Sequence, residues 1–185
     1  MQNLNNIQWS EFYLKDVFNE IQRGKRLKKE HHKRGEVPYI SSTSMNNGVD
    51  GFVGNKENVR LFSSCLTIAN SGSVGSTFFQ PFTFVASDHV TKLSNSKFNR
   101  YVYLFISTTV KKLGEKYSFN REINDNRIRK EKILLPINAQ GEPHYVFMEQ
   151  YMREKELQLI DKYKKHLSNK INNLELRGGG KPAEQ

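Results

Sequence analysis

Short runs of β-branched and aromatic residues alternate with turn residues over the first 95 positions. Such runs, bounded by Gly, Asn, Asp and Ser, predict β-strands. The predicted strands are 9–14 (leading into a helical turn at 16–18), 37–40, 61–69, 77–85, 89–93 and, later in the chain, 133–136. The stretch 41–54 is predicted to be rich in turns, because it contains Asn47-Gly48 and Asp50-Gly51.

Helical spacing begins near residue 99. Apolar residues recur at helical spacing over 99–113, and Lys111-Lys112 followed by Gly114 is a typical helix end. A second, short helix is expected at 124–129. The whole pattern predicts one mixed α/β (α+β) domain over residues 1–142, with a twisted, largely antiparallel sheet.

Residues 143–176 predict one long helix. Pro143 lies at its expected start, and no Gly or Pro follows until after residue 176. Such a helix is about 50 Å long at 1.5 Å per residue. Apolar residues form a narrow seam: Ile160, Leu167 and Leu174 are seven apart, with Leu157, Tyr163 and Ile171 at neighbouring d and e positions. The first half is expected to pack on its own domain, and the second half to form a coiled coil with a partner helix. Residues 177–185 are expected to form a flexible tail.

The charge is basic and concentrated in the predicted domain. Residues 1–142 carry 21 basic and 13 acidic side chains. Such an excess attracts polyanions, of which nucleic acid is the commonest, although a membrane surface would also attract it. The single Cys65, expected to be buried, excludes an internal disulfide and a Cys-based zinc site. No apolar run reaches bilayer length, and the first residues do not resemble a signal peptide, so a cytoplasmic protein is expected.

Catalytic motifs are missing from the sequence. It has no Gly-rich dinucleotide or nucleoside triphosphate loop, no Asn-Pro-Pro-aromatic motif of amino-methyltransferases, and no nuclease carboxylate signature. His31-His32 has no neighbouring Cys and no neighbouring array of carboxylates, so metal binding is not predicted there. Asp88-His89 places an acid beside a base, but a triad would need a serine supplied by the fold. We therefore predict a binding protein with no catalytic residue, no cofactor and no metal, in which Asp88 stabilises a turn and His89 is structural or lies near the ligand.

Three polar segments are candidates for contact with DNA. The first is a basic loop that holds five cations in seven residues: Arg23, Lys25, Arg26, Lys28 and Lys29. It is either a solvated surface or a clamp for phosphates. The second candidate consists of two loops rich in amides and hydroxyls: Ser42, Thr43, Asn46 and Asn47, and Asn70, Ser71 and Ser73. Their composition is equally typical of plain turns.

The third segment interleaves an aromatic ring with amides and guanidinium groups: Tyr117, Asn120, Arg121, Asn124 and Arg127. This mixture suits groove contact, because Arg can grip guanine and Asn can grip adenine through two hydrogen bonds.

Several segments in order resemble the DNA-specificity domain of type I restriction–modification S subunits, and most of all the short S domains of type I and type IIG (BcgI-like) systems. These are Trp9-x-x-Phe12, Arg23-Gly24-Lys25-Arg26, Val37-Pro38-Tyr39-Ile40, Gly72-Ser73-Val74-Gly75-Ser76, Tyr117-Ser118-Phe119, Ile133-x-Leu135-Pro136 and Phe147-Met148-Glu149. The resemblance spans about residues 9–155.

The resemblance implies a target recognition domain followed by a conserved spacer helix. Members of this family usually carry two of each, with the helices antiparallel, whereas this chain has one of each. It is therefore expected to act as a half-subunit, paired with a second copy or another S chain, on an interrupted palindrome in double-stranded DNA. Adenine-specific methyltransferase subunits, and a restriction or translocase subunit, would supply the chemistry. Two alternatives stay open: the recognition domain of a fused methyltransferase–nuclease, and a scaffold or decoy that does not read DNA.

Overall fold

The computed structural model describes residues 3–117 and 122–178, without the side chains of 175–178. The strands are β1 Trp9–Tyr13, β2 Glu20–Arg23, β3 Val37–Ile40, β4 Val49–Val53, β5 Leu61–Phe62, β6 Cys65–Ala69, β7 Thr77–Gln80, β8 Phe84–Ala86, β9 Val90–Ser94 and β10 Lys132–Pro136. The α-helices are α1 Leu14–Val17, α2 Arg100–Lys111, α3 Asp125–Lys130 and α4 Tyr145–Gly178. Single 3-10 turns lie at Leu4–Asn6, Lys29–His31, Met45–Gly48 and Lys112–Lys116. The predicted fold class, a mixed α/β domain followed by a long C-terminal helix, is confirmed.

The strands form three sheets rather than the single sheet expected. Their orders are β1-β10, β2-β9-β6-β7 and β4-β3-β8-β5, and among the strands of residues 3–117 and 122–178 only the pair β3–β8 is parallel. The chain changes sheet within two runs that each read as one strand. Between β5 and β6, Ser64 takes a left-handed backbone conformation (φ +46°). A second break separates β7 from β8, so the sheet expected to be continuous is divided at these breaks.

The stretch 41–54, which was predicted to be rich in turns, also contains a strand that was not predicted. Asn46 and Asn47 both have positive φ (+48° and +55°), as does Gly48 (+86°), so the Asn-Gly signal did mark a turn. The chain then continues as β4, which pairs antiparallel with β3. Asp50-Gly51, which the sequence indicated as a second turn, lies within β4 instead.

The largest part of the core lies between α2 and the sheet β2-β9-β6-β7. Leu66, Leu93 and Ile106 are fully buried there, and Phe79 stacks on Tyr103 with ring centroids 5.2 Å apart. Asn99 caps the start of α2, since its side-chain oxygen accepts hydrogen bonds from the first backbone amides of the helix. The predicted boundaries of α2 are therefore close to the observed ones.

Cys65 is fully buried at the start of β6. Burial raises the pKa of its thiol to about 12, because the thiolate would lie in an apolar environment. The thiolate is the reactive form, so Ellman's reagent at pH 8 is expected to modify native protein at least about 100-fold more slowly than urea-unfolded protein. Equal rates in the two states would contradict this burial.

The long helix α4 begins at Tyr145, two residues later than expected. Pro143 precedes it and forms an isolated β-bridge with Ile137, which holds this residue in extended backbone. The helix continues to Gly178, so it includes two residues that the sequence assigned to the flexible tail. The remaining tail residues, 179–185, lie outside the described part of the chain.

The first three turns of α4 pack on the domain, as expected. Phe147 and Met148 are buried, and Tyr151 contacts Phe105 of α2 edge-on. Glu156 of α4 accepts a hydrogen bond from the Tyr101 hydroxyl (2.7 Å) and pairs with Arg100, both on α2. This hydrogen bond and the nearby guanidinium hold the pKa of Glu156 below its usual value, so the carboxylate is ionised at neutral pH.

Beyond Glu156, α4 leaves the domain and its apolar side chains are exposed. The exposed seam consists of Leu157, Ile160, Tyr163, Leu167, Ile171 and Leu174. In the parts of the chain that the structure describes, no helix is long and apolar enough to cross a membrane.

Candidate nucleic-acid interface

Four segments meet where strands end, and we refer to them together as the loop platform: residues 23–28, 41–47, 70–76 and 87–89. Backbone hydrogen bonds join neighbouring segments, including Lys25 N to Ala86 O (3.0 Å), Ser73 N to Ser42 O (3.0 Å) and Asn70 N to His89 O (2.8 Å). Two of the predicted DNA-contact segments, the basic loop and the amide-rich loops, are thus brought onto one surface. The sequence spacing alone did not predict this.

Glycine allows the segments to approach so closely. A Cβ at Gly24 would lie 2.0 Å from the carbonyl oxygen of Ser87 and 2.6 Å from that of Ala86. A Cβ at Gly72, whose φ is +59°, would lie 2.8 Å from the Ser42 hydroxyl. Neither position has room for a larger residue while the backbones stay where they are.

The basic loop divides into one positioning residue and four exposed cations. The Arg23 side chain is half-buried and donates a hydrogen bond to the backbone carbonyl of Asp88. Its role here is to fix the segment 87–89. The remaining predicted cations are exposed: Lys25, Arg26, Lys28 and Lys29. The only hydrogen bonds or ion pairs that their side chains make with described residues are a 3.5 Å contact of Lys25 with Asn58 and a 3.5 Å pair of Lys28 with Glu30.

The loop after β3 carries polar side chains, and a buried side chain of the sheet holds it in place. Ser42 and Thr43 are half-buried, while Asn46 and Asn47 are exposed. Gln80, only 1% exposed, donates a hydrogen bond to the carbonyl oxygen of Asn47 (2.8 Å) and so ties the loop to the sheet beneath it. The two asparagine side chains are therefore free to contact a ligand without the loop having to order first.

Asn70 and Ser71 are buried, which corrects their expected role as contact residues. Asn70 is fully buried and its side-chain oxygen accepts a hydrogen bond from Thr91 (3.0 Å). The Ser71 hydroxyl lies 2.7 Å from Nδ1 of His89. Both side chains hold neighbouring segments in place. Ser73, half-buried, is the member of this predicted group that still reaches the surface.

The third predicted cluster adjoins the loop platform. The backbone amide of Ile123 donates to the carbonyl oxygen of Asn70 (3.1 Å). Asn124 caps α3 by accepting from the backbone amide of Arg127 (2.9 Å), and both residues are exposed. Tyr117, by contrast, is buried and donates its hydroxyl proton to Glu131 (2.6 Å), which favours a structural role. The predicted contacts of Asn120 and Arg121 lie outside the described residues.

Asp88 and His89 occupy the middle of the loop platform; the sequence predicted that Asp88 stabilises a turn and that His89 is structural or lies near the ligand. With Ser71 they resemble a serine hydrolase triad, but the geometry is unsuitable. His89 Nε2 lies 3.9 Å from the Asp88 carboxylate, beyond hydrogen-bond length, and Ser71 is only 7% exposed. A nucleophile in that position does not reach a substrate. Across residues 3–117 and 122–174, no group of three or more His, Cys, Asp and Glu residues could hold a metal ion.

Comparison with known proteins places this architecture in a family. Residues 6–173 match the type I restriction modification DNA specificity domain. The chain is 35% identical over 162 residues to S.BcgI of Heyndrickxia coagulans, the specificity subunit of a type II restriction enzyme. The match covers 86% of this chain and 47% of S.BcgI, so the chain spans about half the length of that relative.

Solved structures share the fold. The S subunit of a type I restriction-modification system from M. genitalium superposes with a TM-score of 0.59 at 20% identity, covering 90% of this chain and 43% of that one. The HsdS subunit from Thermoanaerobacter tengcongensis gives 0.56 at 12% identity, covering 86% and 40%. From the length of the sequence match and the shared fold, the chain belongs to the type I restriction modification DNA specificity domain family.

Proposed function

We propose that this chain reads one half of a bipartite target in double-stranded DNA and is the specificity half-subunit of a restriction–modification system. The observation that carries the proposal is the loop platform, on which exposed cations and exposed amides share one surface of a rigid domain. Cations bind phosphates regardless of sequence, while amides distinguish base edges, so a reading surface needs both. In this proposal the chain acts in the cytoplasm and has no catalytic role or cofactor of its own.

The roles of the platform residues, and of Lys29, Asn124 and Arg127 next to them, follow from their exposure. Lys25, Arg26, Lys28 and Lys29 contact phosphates. Amide and hydroxyl groups of the adjoining loops contact base edges or sugars: Ser42, Thr43, Asn46, Asn47, Ser73 and Asn124, with Arg127 beside them. Asn70, Ser71 and Arg23 keep the segments in position.

We further propose that α4 pairs antiparallel with α4 of a second copy. The heptad assignment that we propose differs from the d and e positions predicted from sequence. Leu157, Lys164 and Ile171 are a positions and Ile160, Leu167 and Leu174 are d positions, with the 3- and 4-residue spacing of a coiled coil, which places Tyr163 at a flanking g position. One antiparallel register then aligns every a position with a d position. Leu157 faces Leu174 of the second copy, Ile160 faces Ile171, and Lys164 faces Leu167. The exposure of this whole seam in one copy supports the pairing, since burying a continuous apolar stripe against a second helix removes it from water.

Such a dimer would hold two loop platforms at a fixed separation. A two-fold axis through the helix pair makes the two half-sites inverted repeats, because protein symmetry is mirrored in the DNA target. Methyl transfer to adenine, and cleavage where a restriction subunit is present, would come from partner subunits. The description of S.BcgI as the specificity subunit of a restriction enzyme supports a recruiting role of this kind.

Binding to duplex DNA tests the proposal directly. We expect fluorescence anisotropy to show binding to a random-sequence duplex that weakens steeply with salt, since each phosphate contact releases a counterion. Replacing Lys25, Arg26, Lys28 and Lys29 by alanine is expected to lower affinity at least about tenfold for every sequence and to reduce the salt slope by about 4.

The control removes positive charge elsewhere. A variant with Lys162, Lys165 and Lys170 of α4 replaced by alanine should bind almost as well as the wild type, because these exposed lysines lie far along the helix. An unchanged affinity in the loop variant would remove the basic loop from the interface. Absence of binding even at low salt would reject DNA recognition and favour a scaffold.

A further inference from the structure

The turn between β8 and β9 is fixed from three sides. The backbone amide of His89 donates to the Ser87 hydroxyl (3.1 Å), and its carbonyl oxygen accepts from Asn70 (2.8 Å). The Arg23 guanidinium holds the carbonyl of Asp88. Asp88 and His89 are therefore presented by a rigid backbone at the centre of the loop platform.

Their side chains form an ordered pair at the surface. The side chain of His89 is 51% exposed and that of Asp88 is 28% exposed. The buried Ser71 hydroxyl lies 2.7 Å from Nδ1 of His89, while Nε2 lies on the side of the Asp88 carboxylate, 3.9 Å away. We assign a proton to Nε2 of His89, because the serine hydroxyl can donate to Nδ1 and the carboxylate favours a proton near it. The pair then offers one donor and one acceptor side by side.

A structural role does not account for the carboxylate. Among the residues described, the Asp88 carboxylate makes no hydrogen bond, and its one ion pair is the 3.9 Å contact with His89. Phosphates repel a carboxylate, so on a surface that faces DNA an acidic side chain is favourable only where it meets a donor on a base edge. The same reasoning excludes a phosphate contact for this pair.

Resting on the proposed DNA recognition, we infer that Asp88 and His89 read an adenine in the major groove, with Ser71 as the positioning residue. Adenine presents the acceptor N7 beside the donor N6 amino group, which matches His89 Nε2–H and the Asp88 carboxylate. Guanine presents two acceptors, N7 and O6, and the carboxylate disfavours it. The pair is a specificity-determining contact absent from the set predicted from sequence.

Selection from duplexes with a randomised central segment, using the full chain, tests this inference. The wild type is expected to select a sequence in which one adenine is preferred because of Asp88 and His89. His89→Ala should lose the preference at that position alone and bind the selected duplex about tenfold more weakly. Asp88→Asn, nearly isosteric, should shift the preference at that position from adenine towards guanine, because an amide can donate to O6. Ser71→Ala should relax the same position to a smaller extent.

A single-atom probe sharpens the test. Replacing the selected adenine by 7-deazaadenine removes N7, and this should weaken wild-type binding about tenfold but change binding of His89→Ala less than twofold. The matched control is His31→Ala, an exposed histidine that follows the basic loop, which should keep the wild-type preference and the wild-type response to the probe.

The outcomes separate this inference from the function on which it rests. If the wild type selects no sequence at all, the proposed recognition function fails. If the wild type selects a sequence but Asp88→Asn and His89→Ala select the same one, only the present inference is overturned. Uniform weakening at all positions would also overturn it, since that result indicates a purely structural role, and so would a dependent position that is not adenine.

Discussion

Replacement of Gly24 by alanine is expected to destabilise the domain by about 3 kcal/mol and to abolish tight DNA binding. The added Cβ would lie 2.0 Å from the Ser87 carbonyl oxygen and 2.6 Å from that of Ala86, and both obstacles are backbone. Relief requires the basic loop to separate from the segment 87–89, which breaks the hydrogen bond between Lys25 and Ala86. Calorimetry should show a melting temperature lower by roughly 10 °C for a domain of this size.

The control for Gly24→Ala is Gly51→Ala. Gly51 has a positive φ (+157°), but a Cβ there would meet nothing within 4 Å. Only local backbone strain is then added, so a cost of about 1 kcal/mol and unchanged DNA affinity are expected. Wild-type stability and DNA affinity in Gly24→Ala would show that the two segments do not pack as described.

Replacing Leu167 by lysine is expected to dissociate the proposed dimer. In the antiparallel register Leu167 faces Lys164 of the second copy, so the variant places two lysines against each other at both symmetric positions of an apolar seam. Burying or repelling these charges costs several kcal/mol, and about 2.7 kcal/mol already weakens association 100-fold. Sedimentation velocity should change from dimer to monomer, whereas calorimetry should show that the recognition domain still unfolds cooperatively.

Two further variants test the register as well as the seam. Leu159→Lys is the matched control, because Leu159 is 67% exposed but lies outside the a and d positions, and it should leave the dimer intact. Lys164→Leu should tighten the dimer, since it replaces the one charged a position of the seam. A dimer insensitive to Leu167→Lys, or equally sensitive to Leu159→Lys, would contradict the pairing.

The loop platform connects fold and proposed function through the close approach of four segments. Because Gly24 and Gly72 bring backbones into contact, side chains from four strand ends form one surface without a long ordered loop. A domain of this kind can vary its exposed side chains at 42–47 and 88–89 while the buried Asn70, Ser71 and Gln80 keep the frame. The loops are then already ordered in the folded domain, so that ordering them does not reduce the free energy of binding.

The local elements were largely predictable. Asn99 and Asn124 cap α2 and α3 because asparagine satisfies free backbone amides wherever a helix begins. The 3- and 4-residue spacing of apolar positions defined the seam of α4, since this spacing alone decides which side chains share a helix face. The helix start predicted at Pro143 was wrong by two residues, because proline is compatible with extended backbone as well as with a first helical turn.

The tertiary structure decided which polar residues are exposed. Asn70 and Ser71 look like surface turn residues in the sequence, yet both are buried, where Thr91 donates to the side-chain oxygen of Asn70 and His89 contacts the Ser71 hydroxyl from some twenty positions later in the chain. The inferred role of Asp88 and His89 depends on the contact between Ser71 and His89, and no local sequence pattern predicts that contact. The sequence by itself determined the elements, the charge of the domain and the apolar seam, since each depends on near neighbours in the chain. The assembly of the platform depends on contacts between distant segments, and only the folded chain defines those.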